Sequence, residues 1–414
     1  MWYLIRALFN TCAALVCLLA LPWQAQAVLF DATGDASYNT NAPTGALTNS
    51  GWQFEGKFGA YLGTAVAPHY FLTAQHIGGD TNTLFVLDGT NYHPTTFYDA
   101  SDSDLRLWHV AERLPRYAPI YTGSDEVGAP MVVIGRGTYR RGTPVVTDGL
   151  TNGWEWAYGD NVMRWGSNRV VGIYYDANDA QYLMGAFFHG AGPDECTVSV
   201  GDSGGATFIF VDGRWQLGGI MYGVDYQFKT SSTGNVINAA IYDEYGLYQF
   251  DGASWDLITN HWTTTFVASR VSSRYAWLTN AITDFDSNAN GLPDWWELQY
   301  SGDIHGMSPT DDPDHDGMNN LAEWIALTDP TNPASFFQVQ AIACASNRTT
   351  LTFTGWSNRL YNVYYQDAPL TTNAWILATT NAFVGSNGPT FWTDTNLIAA
   401  VTSRFYRIEV SLPP

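Results

Sequence analysis

The sequence predicts a mainly β fold in three parts, and the distribution of residue types along its 414 residues indicates each part. Residues 28–283 contain many short β-rich runs bounded by Gly, Asn, Asp and Pro, a pattern typical of barrels and sandwiches. Residues 284–334 are dense in Asp, Asn and Pro instead. Residues 335–414 return to alternating strand-like runs, which predicts a small C-terminal β-sandwich.

The N-terminal residues 1–27 have the layout of a secretory signal peptide. Arg6 precedes an apolar run over residues 7–21, and a small-residue cleavage site ends at Ala27. The short run and the cleavage site disfavour the alternative, an uncleaved membrane anchor. No second long apolar run follows, so we expect a secreted chain, extracellular or periplasmic, with no stable membrane insertion after cleavage.

The charge balance excludes one class of partner. The chain has 18 Lys and Arg against 39 Asp and Glu, giving a formal net charge of -21. Nucleic acid is therefore not expected as a partner, because phosphate binding needs clustered Lys and Arg.

Only two cysteines, Cys196 and Cys344, lie after the predicted cleavage site. The fold therefore does not depend on a framework of disulfides. One long-range bridge and two buried thiols both fit the sequence.

Strand-like runs follow one another through the first part, and a helix-like stretch closes it. Examples of the runs are HYFLTA, PMVVIG, RVVGIYY, ATFIFV and LGGIMYGV. The helix is predicted over residues 271–282, where Leu278 and Ile282 lie at helical spacing and Ser272 or Ser273 could cap it.

Three segments carry residue types that could build a nucleophilic site. FLTAQHIGG contains His76, DSDLRLWHV contains Asp104, and VGDSGGATF contains Ser203. A serine hydroxyl is a poor nucleophile at neutral pH, and histidine is the side chain suited to accept its proton. Asp99 and Asp102 compete with Asp104, but the alternating leucines after Asp104 indicate a strand that starts at this acid.

In the order His, Asp, Ser, these segments resemble the trypsin-like serine proteases, which have the chymotrypsin fold. SRVSSRYAWLTNAI is similar to the closing helix of that family. The resemblance covers roughly residues 55–283, with an enlarged stretch between Tyr222 and Ser269. It implies a double β-barrel domain and serine endopeptidase activity through an acyl-enzyme intermediate at Ser203.

The roles that the resemblance implies also follow from the chemistry. His76 would take the proton from Ser203 and return it to the leaving amine, and Asp104 would fix the imidazole tautomer. The backbone N–H groups of Gly201 and Ser203 would form the oxyanion hole, and Gly201 admits a backbone shape that other residues resist.

Activation and specificity depart from the family pattern. Vertebrate members pair the acid before the nucleophile, Asp202 here, with a new N-terminal amine, yet no Ile-Val-Gly-Gly start is found. Either Asp202 pairs with an internal group or Val28 inserts in a different way. Thr197 occupies the family's pocket-base position, and Tyr222 is expected in the same substrate pocket, so cleavage after Arg or Lys is not supported.

Two acidic loops match the calcium-loop pattern D-x-[DN]-x-[DN]-G-x5-E. Calcium prefers about six to eight hard oxygens, and a loop of this length can wrap them round one ion. Ligands expected in the first acidic loop are Asp286, Asn288, Asn290, the Leu292 carbonyl, Asp294 and Glu297. Ligands expected in the second acidic loop are Asp312, Asp314, Asp316, the Met318 carbonyl, Asn320 and Glu323.

These loops resemble the dockerin or thrombospondin type 3-like calcium repeats of secreted bacterial proteins. TDPTNPAS, which follows them, is similar to the usual end of such repeats. We expect structural Ca²⁺ that stiffens the joint between the first part and the C-terminal sandwich. The alternative is an acidic linker rich in turn residues.

The C-terminal part ends in FWTDTN and SRFYRIEV, which look like small fibronectin III-like domains of secreted bacterial proteins. Trp356, Trp375 and Trp392 could bind polysaccharide or a cell surface, although aromatic core packing is the commoner use of such residues.

Together these features predict a secreted serine endopeptidase with protein or peptide substrates. The main alternative is a catalytically silent protease homologue that acts as a calcium-stiffened binding or adhesion module. A third interpretation is an esterase that uses the same three residues.

Overall fold

The computed structural model describes residues 28–413 except 138, 159, 177–179, 251–252, 283, 346–347, 369–374, 380–381 and 396–402. The predicted signal peptide lies outside the described residues. The fold is mainly β and its sheets are curled, one of them into a half-barrel, which confirms the predicted fold class. Within the described residues, no helix is both long and apolar enough to cross a membrane.

The first part of the chain consists almost entirely of short strands. In chain order these are β1 Leu29–Phe30, β2 Glu55–Phe58, β3 Tyr61–Ala67, β4 Tyr70–Ala74, β5 Phe85–Leu87, β6 Thr90–Tyr92, β7 Pro94–Asp99, β8 Leu105–Val110, β9 Pro130–Gly135, β10 Tyr139–Thr147, β11 Leu150–Tyr158, β12 Arg164–Arg169, β13 Gly172–Tyr175, β14 Gln181–Ala186, β15 Cys196–Thr197, β16 Ala206–Val211, β17 Arg214–Val224, β18 Gln227–Lys229, β19 Ile237–Ile241, β20 Tyr248–Phe250, β21 Trp255–Leu257 and β22 Thr265–Arg270. Short 3₁₀ turns occur at Gly45–Leu47, Trp52–Phe54, Gln75–Ile77 and Ser272–Arg274.

Two seven-stranded antiparallel sheets form the body of this part. The first has the order β6-β5-β2-β3-β4-β8-β7, and the second has the order β12-β9-β16-β17-β22-β14-β13. One hydrophobic cluster contains buried residues of both sheets, among them Leu72 and Leu105 of the first and Phe208 and Ile220 of the second. The two sheets therefore pack on a shared core, and loops from both reach the same edge of it.

A third, six-stranded sheet is inserted beside this body, in the order β10-β11-β19-β18-β20-β21. It has its own small core around Val145, Phe228 and Ile241. Two separate stretches of chain build it, whereas the sequence indicated an enlargement only between Tyr222 and Ser269. The sequence does not indicate that β10 and β11 belong to an insertion, because the residue pattern of a strand does not show which sheet it joins.

The predicted closing helix is present but shorter than residues 271–282, because α1 spans Tyr275–Ala281 and a 3₁₀ turn at Ser272–Arg274 precedes it. Leu278 and Ile282 are buried in the shared core. The predicted serine cap is wrong, since Ser272 donates its hydroxyl proton to Glu126 and Ser273 donates to a backbone carbonyl. Both hydroxyls instead fasten the turn that precedes the helix.

The acidic loops each lead into a short helix, α2 Asp294–Ser301 and α3 Asn320–Ala326, as the sequence indicated. Strands β23 Val339–Ala345, β24 Arg348–Gly355, β25 Leu360–Asp367, β26 Ile376–Leu377, β27 Phe383–Val384, β28 Gly388–Asp394 and β29 Arg404–Ser411 follow. One sheet has the order β23-β24-β28, and the other has β26-β25-β27 with β29 also paired to β25. Phe353 and Tyr361, one from each sheet, are fully buried.

Neither arrangement that the sequence left open for the cysteines is found. Cys196 and Cys344 are both free thiols, and only Cys196 is buried. Cys344 is exposed because it lies on β23, whose side chains are mostly open to solvent.

Candidate functional site

The three side chains singled out by the sequence lie in one hydrogen-bonded row. Nδ1 of His76 is 2.6 Å from Oδ2 of Asp104, and Nε2 of His76 is 2.9 Å from Oγ of Ser203. The backbone N–H of His76 also donates to Oδ1 of Asp104 at 2.9 Å. Both oxygens of Asp104 are thus used to hold the imidazole in place.

Strand pairing brings His76 and Asp104 together. Ala74, the last residue of β4, pairs with Leu105, the first residue of β8, so the turn carrying His76 lies beside Asp104. The N–H of Gln75 donates to the carbonyl of Asp104 at 2.8 Å and closes this corner. Ser203 arrives from the second sheet, on the loop between β15 and β16. The row therefore forms only where the two sheets meet.

The two competing acids are engaged elsewhere. Asp99 forms a two-point ion pair with Arg106, at 2.6 and 2.8 Å, and the hydrogen bond from Arg106 lowers the pKa of the Asp99 carboxyl. Asp102 lies 3.1 Å from Nε of Arg274. Asp104 alone among the three faces His76.

The loop before Ser203 has the backbone shape that the sequence led us to expect. Gly201 has a φ of 97°, in the region that residues with a side chain rarely adopt. Within the described part of the chain, the N–H groups of Gly201 and Ser203 donate to no protein acceptor. Both N–H groups are therefore available as hydrogen-bond donors.

Asp202, beside the nucleophile candidate, is almost completely buried, and backbone N–H groups surround its carboxylate. Its carboxylate accepts hydrogen bonds from the N–H groups of Gly137 at 2.6 Å, Ser199 at 2.8 Å and Val28 at 3.3 Å. Burial raises the pKa of Asp202. Of the two options left open by the sequence, the structure places the nitrogen of Val28 at Asp202, and no cationic side chain forms an ion pair with this acid in the described residues.

A cavity of about 240 Å³ opens next to His76 and Ser203. Its walls are mostly apolar, with Val198, Val200, Met221, Tyr222, Val224 and Tyr226 among the lining residues. Tyr222 also meets the ring of His76 edge-on, with centroids 5.8 Å apart. The structure thus places Tyr222 in the wall of the cavity beside His76.

The prediction for Thr197 needs correction. Thr197 is fully buried on β15, where it pairs with Leu29 of β1, and it does not line the cavity. The next two residues, Val198 and Ser199, line the cavity instead. The short strand β15 turns the Thr197 side chain into the core, an arrangement that a motif alignment cannot detect.

One wall residue was missed by sequence reasoning. Tyr226 lines the cavity and stacks on Trp156 of the inserted sheet, with ring centroids 4.9 Å apart and an interplanar angle of 14°. The inserted sheet therefore reaches the candidate site. Tyr226 lies in the enlarged stretch between Tyr222 and Ser269, where no family motif marks a site residue.

The first acidic loop is closed by its own polar groups. Asn288 and Asn290 each donate an amide N–H to Glu297, at 3.1 Å in both cases. Asp286 accepts from the hydroxyl of Tyr117 at 2.8 Å, and Asp294 accepts from the hydroxyl of Tyr275 at 2.7 Å. The loop is thereby attached to the first part of the chain.

The second acidic loop brings its acids together without such partners. One carboxylate oxygen from each of Asp312, Asp314 and Asp316 lies within 4.8 Å of the others. Asn320 and Glu323 are almost completely buried beside them at the start of α3. Burial and the neighbouring carboxylates of Asp314 and Asp316 raise the pKa of Glu323 to about 7.

The tryptophans considered for polysaccharide contact are half-buried. Trp392 packs against Tyr406, and the guanidinium of Arg407 lies over Trp375. Trp356 donates its backbone N–H to the hydroxyl of Tyr361. These contacts fit packing roles at the edges of the sandwich.

No protein-family model matches the chain, and no curated protein matches it. Among solved structures, it is similar to the passenger domain of the plasmid-encoded toxin, an autotransporter enterotoxin of enteroaggregative Escherichia coli. That match has 10% identity and a TM-score of 0.34, and it covers 58% of this chain but only 23% of the passenger domain. The inactive form of the Rv3671c protease matches with 16% identity and a TM-score of 0.30, covering 49% of this chain and 92% of that one. A serine-to-alanine mutant of Rv3671c from M. tuberculosis H37Rv matches with 14% identity and a TM-score of 0.30, over 51% of this chain and 89% of that one.

Proposed function

We propose that this chain is a secreted serine endopeptidase that hydrolyses peptide bonds through Asp104, His76 and Ser203. The observation that carries the proposal is the continuous row from Asp104 Oδ2 to His76 to Ser203 Oγ, with contacts of 2.6 and 2.9 Å. A base oriented by a carboxylate and within reach of a hydroxyl is the arrangement that activates a serine.

The chemistry proceeds in two halves. The Oγ of Ser203 attacks the carbonyl carbon of the scissile bond while Nε2 of His76 takes the hydroxyl proton, and the carbonyl oxygen becomes an oxyanion. The N–H groups of Gly201 and Ser203 donate to that oxyanion. His76 then gives its proton to the leaving amine, which leaves an acyl-enzyme on Ser203. Water, deprotonated by His76, then attacks the acyl carbon; the bond to Oγ of Ser203 breaks, and His76 returns the proton to Oγ, which releases the carboxylic acid and regenerates the serine.

The cavity walls support a preference for apolar side chains in the substrate. Val198, Val200, Met221 and Tyr222 present hydrocarbon surface. Asp202 is the one acidic residue among the described residues of the lining, and its carboxylate accepts hydrogen bonds from backbone N–H groups. A Lys or Arg side chain placed there would lose its hydration without gaining a counter-charge, which is costly. We therefore propose cleavage after apolar or aromatic residues.

A fluorophosphonate probe tests the nucleophile directly. We expect stoichiometric labelling of the purified protein and none of a Ser203→Ala variant. Ser37→Ala, which changes an exposed serine that does not line the cavity, should label like the parent. Absence of labelling in a folded parent protein would reject the proposal and favour a silent binding module.

Panels of peptide and ester substrates then distinguish endopeptidase activity from esterase activity. An endopeptidase should cleave a peptide library at internal bonds, with apolar residues enriched before the cut. Turnover of small esters without any peptide cleavage would instead identify an esterase. The Ser203→Ala variant serves as the blank in both assays.

A further inference from the structure

Among the described residues, the second acidic loop contains a group of buried oxygen atoms that accept no hydrogen bond of normal length, although the Thr328 hydroxyl, itself unpaired, lies near Glu323. They are Oδ1 of Asp312, Oδ2 of Asp314, Oδ2 of Asp316, Oδ1 of Asn320 and both carboxylate oxygens of Glu323. Glu323 is 0% exposed and Asn320 is 1% exposed. Each buried acceptor left unpaired costs about 1–3 kcal/mol, and more when it is charged, so a group of this kind requires a compensating partner.

The remaining contacts of the loop leave these oxygens facing inward. The N–H groups of Asp316, Gly317 and Met318 bind the other oxygens of the three aspartates, at 3.2, 3.1 and 2.7 Å. Asn320 donates its amide N–H to the carbonyl of Ser308 at 2.7 Å, which orients its oxygen. None of the four acids takes part in an ion pair with Lys, Arg or His in the described part of the chain.

The first acidic loop has the same sequence spacing but needs no such partner. At its third and fifth positions it has Asn288 and Asn290, whose amide groups donate to the two oxygens of Glu297. The second loop has Asp314 and Asp316 at those positions, and a carboxylate has no proton to donate. Asp294, at the ninth position of the first loop, also accepts hydrogen bonds, from the N–H of Ser287 and the hydroxyl of Tyr275.

We propose that the second acidic loop binds one Ca²⁺ ion and that the first acidic loop closes without a metal. The six inward oxygens, with the Met318 carbonyl as a further candidate, fit the about six to eight oxygen ligands that Ca²⁺ takes, including a two-oxygen contact from Glu323. Mg²⁺ fits less well, because it demands octahedral geometry and keeps several of its waters. This inference does not depend on the proposed peptidase activity.

Calcium titration of the Ser203→Ala chain, stripped with a chelator and followed by calorimetry, tests the proposal without self-cleavage. We expect one ion per chain and much weaker binding of Mg²⁺. Glu323→Gln should weaken Ca²⁺ binding at least 100-fold. The matched variant Glu297→Gln, at the same position of the first loop, should leave the affinity and the stoichiometry unchanged.

The number of ions bound by the chain with both loops unmutated already tests the proposal. No binding, or two ions per chain, would overturn the proposal. An equal loss of affinity in Glu297→Gln and Glu323→Gln would overturn it as well. If Glu323→Gln fails to fold, the milder variant Asp314→Asn replaces it, with an expected loss of at least 10-fold and with the parent's stoichiometry as the independent measure.

Discussion

Glu195, close to the nucleophile loop, is a buried acid that makes stability depend on pH. Its side chain accepts hydrogen bonds from the N–H of Phe188 at 3.0 Å and from the amide of Asn168 at 3.3 Å. Burial raises the pKa of Glu195 to about 7 from an ordinary value of 4.5. The folded state therefore holds this proton more tightly than the unfolded state does. The stabilisation is complete below about pH 4.5 and is lost as the pH rises through about 7.

We expect Glu195→Gln to remove this dependence. The amide keeps an oxygen for the Phe188 N–H but carries no charge, so the variant should be more stable than the parent at pH 8, by roughly 3 kcal/mol at most. The free energies of unfolding of the variant and the parent should be similar at pH 4. Urea unfolding from pH 4 to pH 8 in the Ser203→Ala background measures this. The exposed Asp212→Asn is the control, and parallel curves for Glu195→Gln and the parent would contradict the expectation.

At the residue scale, the sequence was most informative where chemistry restricts the residue type. His76, Asp104 and Ser203 could be named because few side chains can serve as base, orienting acid and nucleophile, and the structure brings all three together. The cavity wall was less predictable. Many apolar residues can line a cavity, so neither the burial of Thr197 nor the position of Tyr226 could be derived from residue type.

At the scale of elements, the two-residue strand β1 connects the N-terminal end of the described chain to the nucleophile loop. Leu29 and Phe30 pair with Thr197 and Cys196 of β15, and this pairing brings the nitrogen of Val28 to Asp202. Val28 is fully buried with a φ of 56°, a strained value for a β-branched residue. Packing around it must offset that strain.

The position of Val28 predicts that the chain start controls activity. A chain that begins at Val28 places an α-ammonium group where Asp202 can pair with it, whereas one preceding residue turns that nitrogen into an uncharged amide. An unpaired buried charge costs about 3–5 kcal/mol, so we expect probe labelling of the extended chain to be slower by roughly 100-fold or more. Asp202→Asn should make the two chain forms label equally. Equal labelling without that substitution would contradict the expectation.

The two helices that follow the acidic loops pack against each other. α2 and α3 pack through aromatic rings, with Trp296 and Trp324 at 6.3 Å. Their positions could be predicted, because each follows a loop with a fixed pattern of acids and glycine. The contacts of their glutamates could not, since only the structure shows that two amides bond to Glu297 while the oxygens of Glu323 are left unbonded.

At the scale of the whole molecule, one arginine couples the second acidic loop to the C-terminal sandwich. Arg359 is buried and donates to the carbonyls of Trp324 and Ile325 at the end of α3, at 2.8 and 2.6 Å. Its guanidinium also lies over the ring of Trp324, 4.7 Å from the centroid. Because α3 begins at Asn320, an ion in the second loop would order the start of α3, and Arg359 holds the end of the same helix against the sandwich.

We expect calcium to protect this junction from proteolysis. At a free concentration 100 times the dissociation constant, one bound ion stabilises by about 2.7 kcal/mol, so cleavage within residues 327–338 should be up to roughly 100-fold slower with calcium than with a chelator. Limited proteolysis of the Ser203→Ala chain by an added protease measures the rates. Arg359→Gln should raise cleavage even with calcium, because the carbonyls at the end of α3 lose their donors. Equal rates with calcium and chelator would count against the coupling.

The sequence by itself determined the mainly β class, the order of the three reactive residues and the spacing of both acidic loops, because these depend on residue types and on patterns within short segments. Only the tertiary structure decided that two distant stretches build the inserted sheet, that Val28 reaches Asp202, and that the first acidic loop is closed while the second is not. Each of these depends on contacts between residues far apart in the chain or on which atom of a side chain faces its neighbour. Folding alone brings those atoms together.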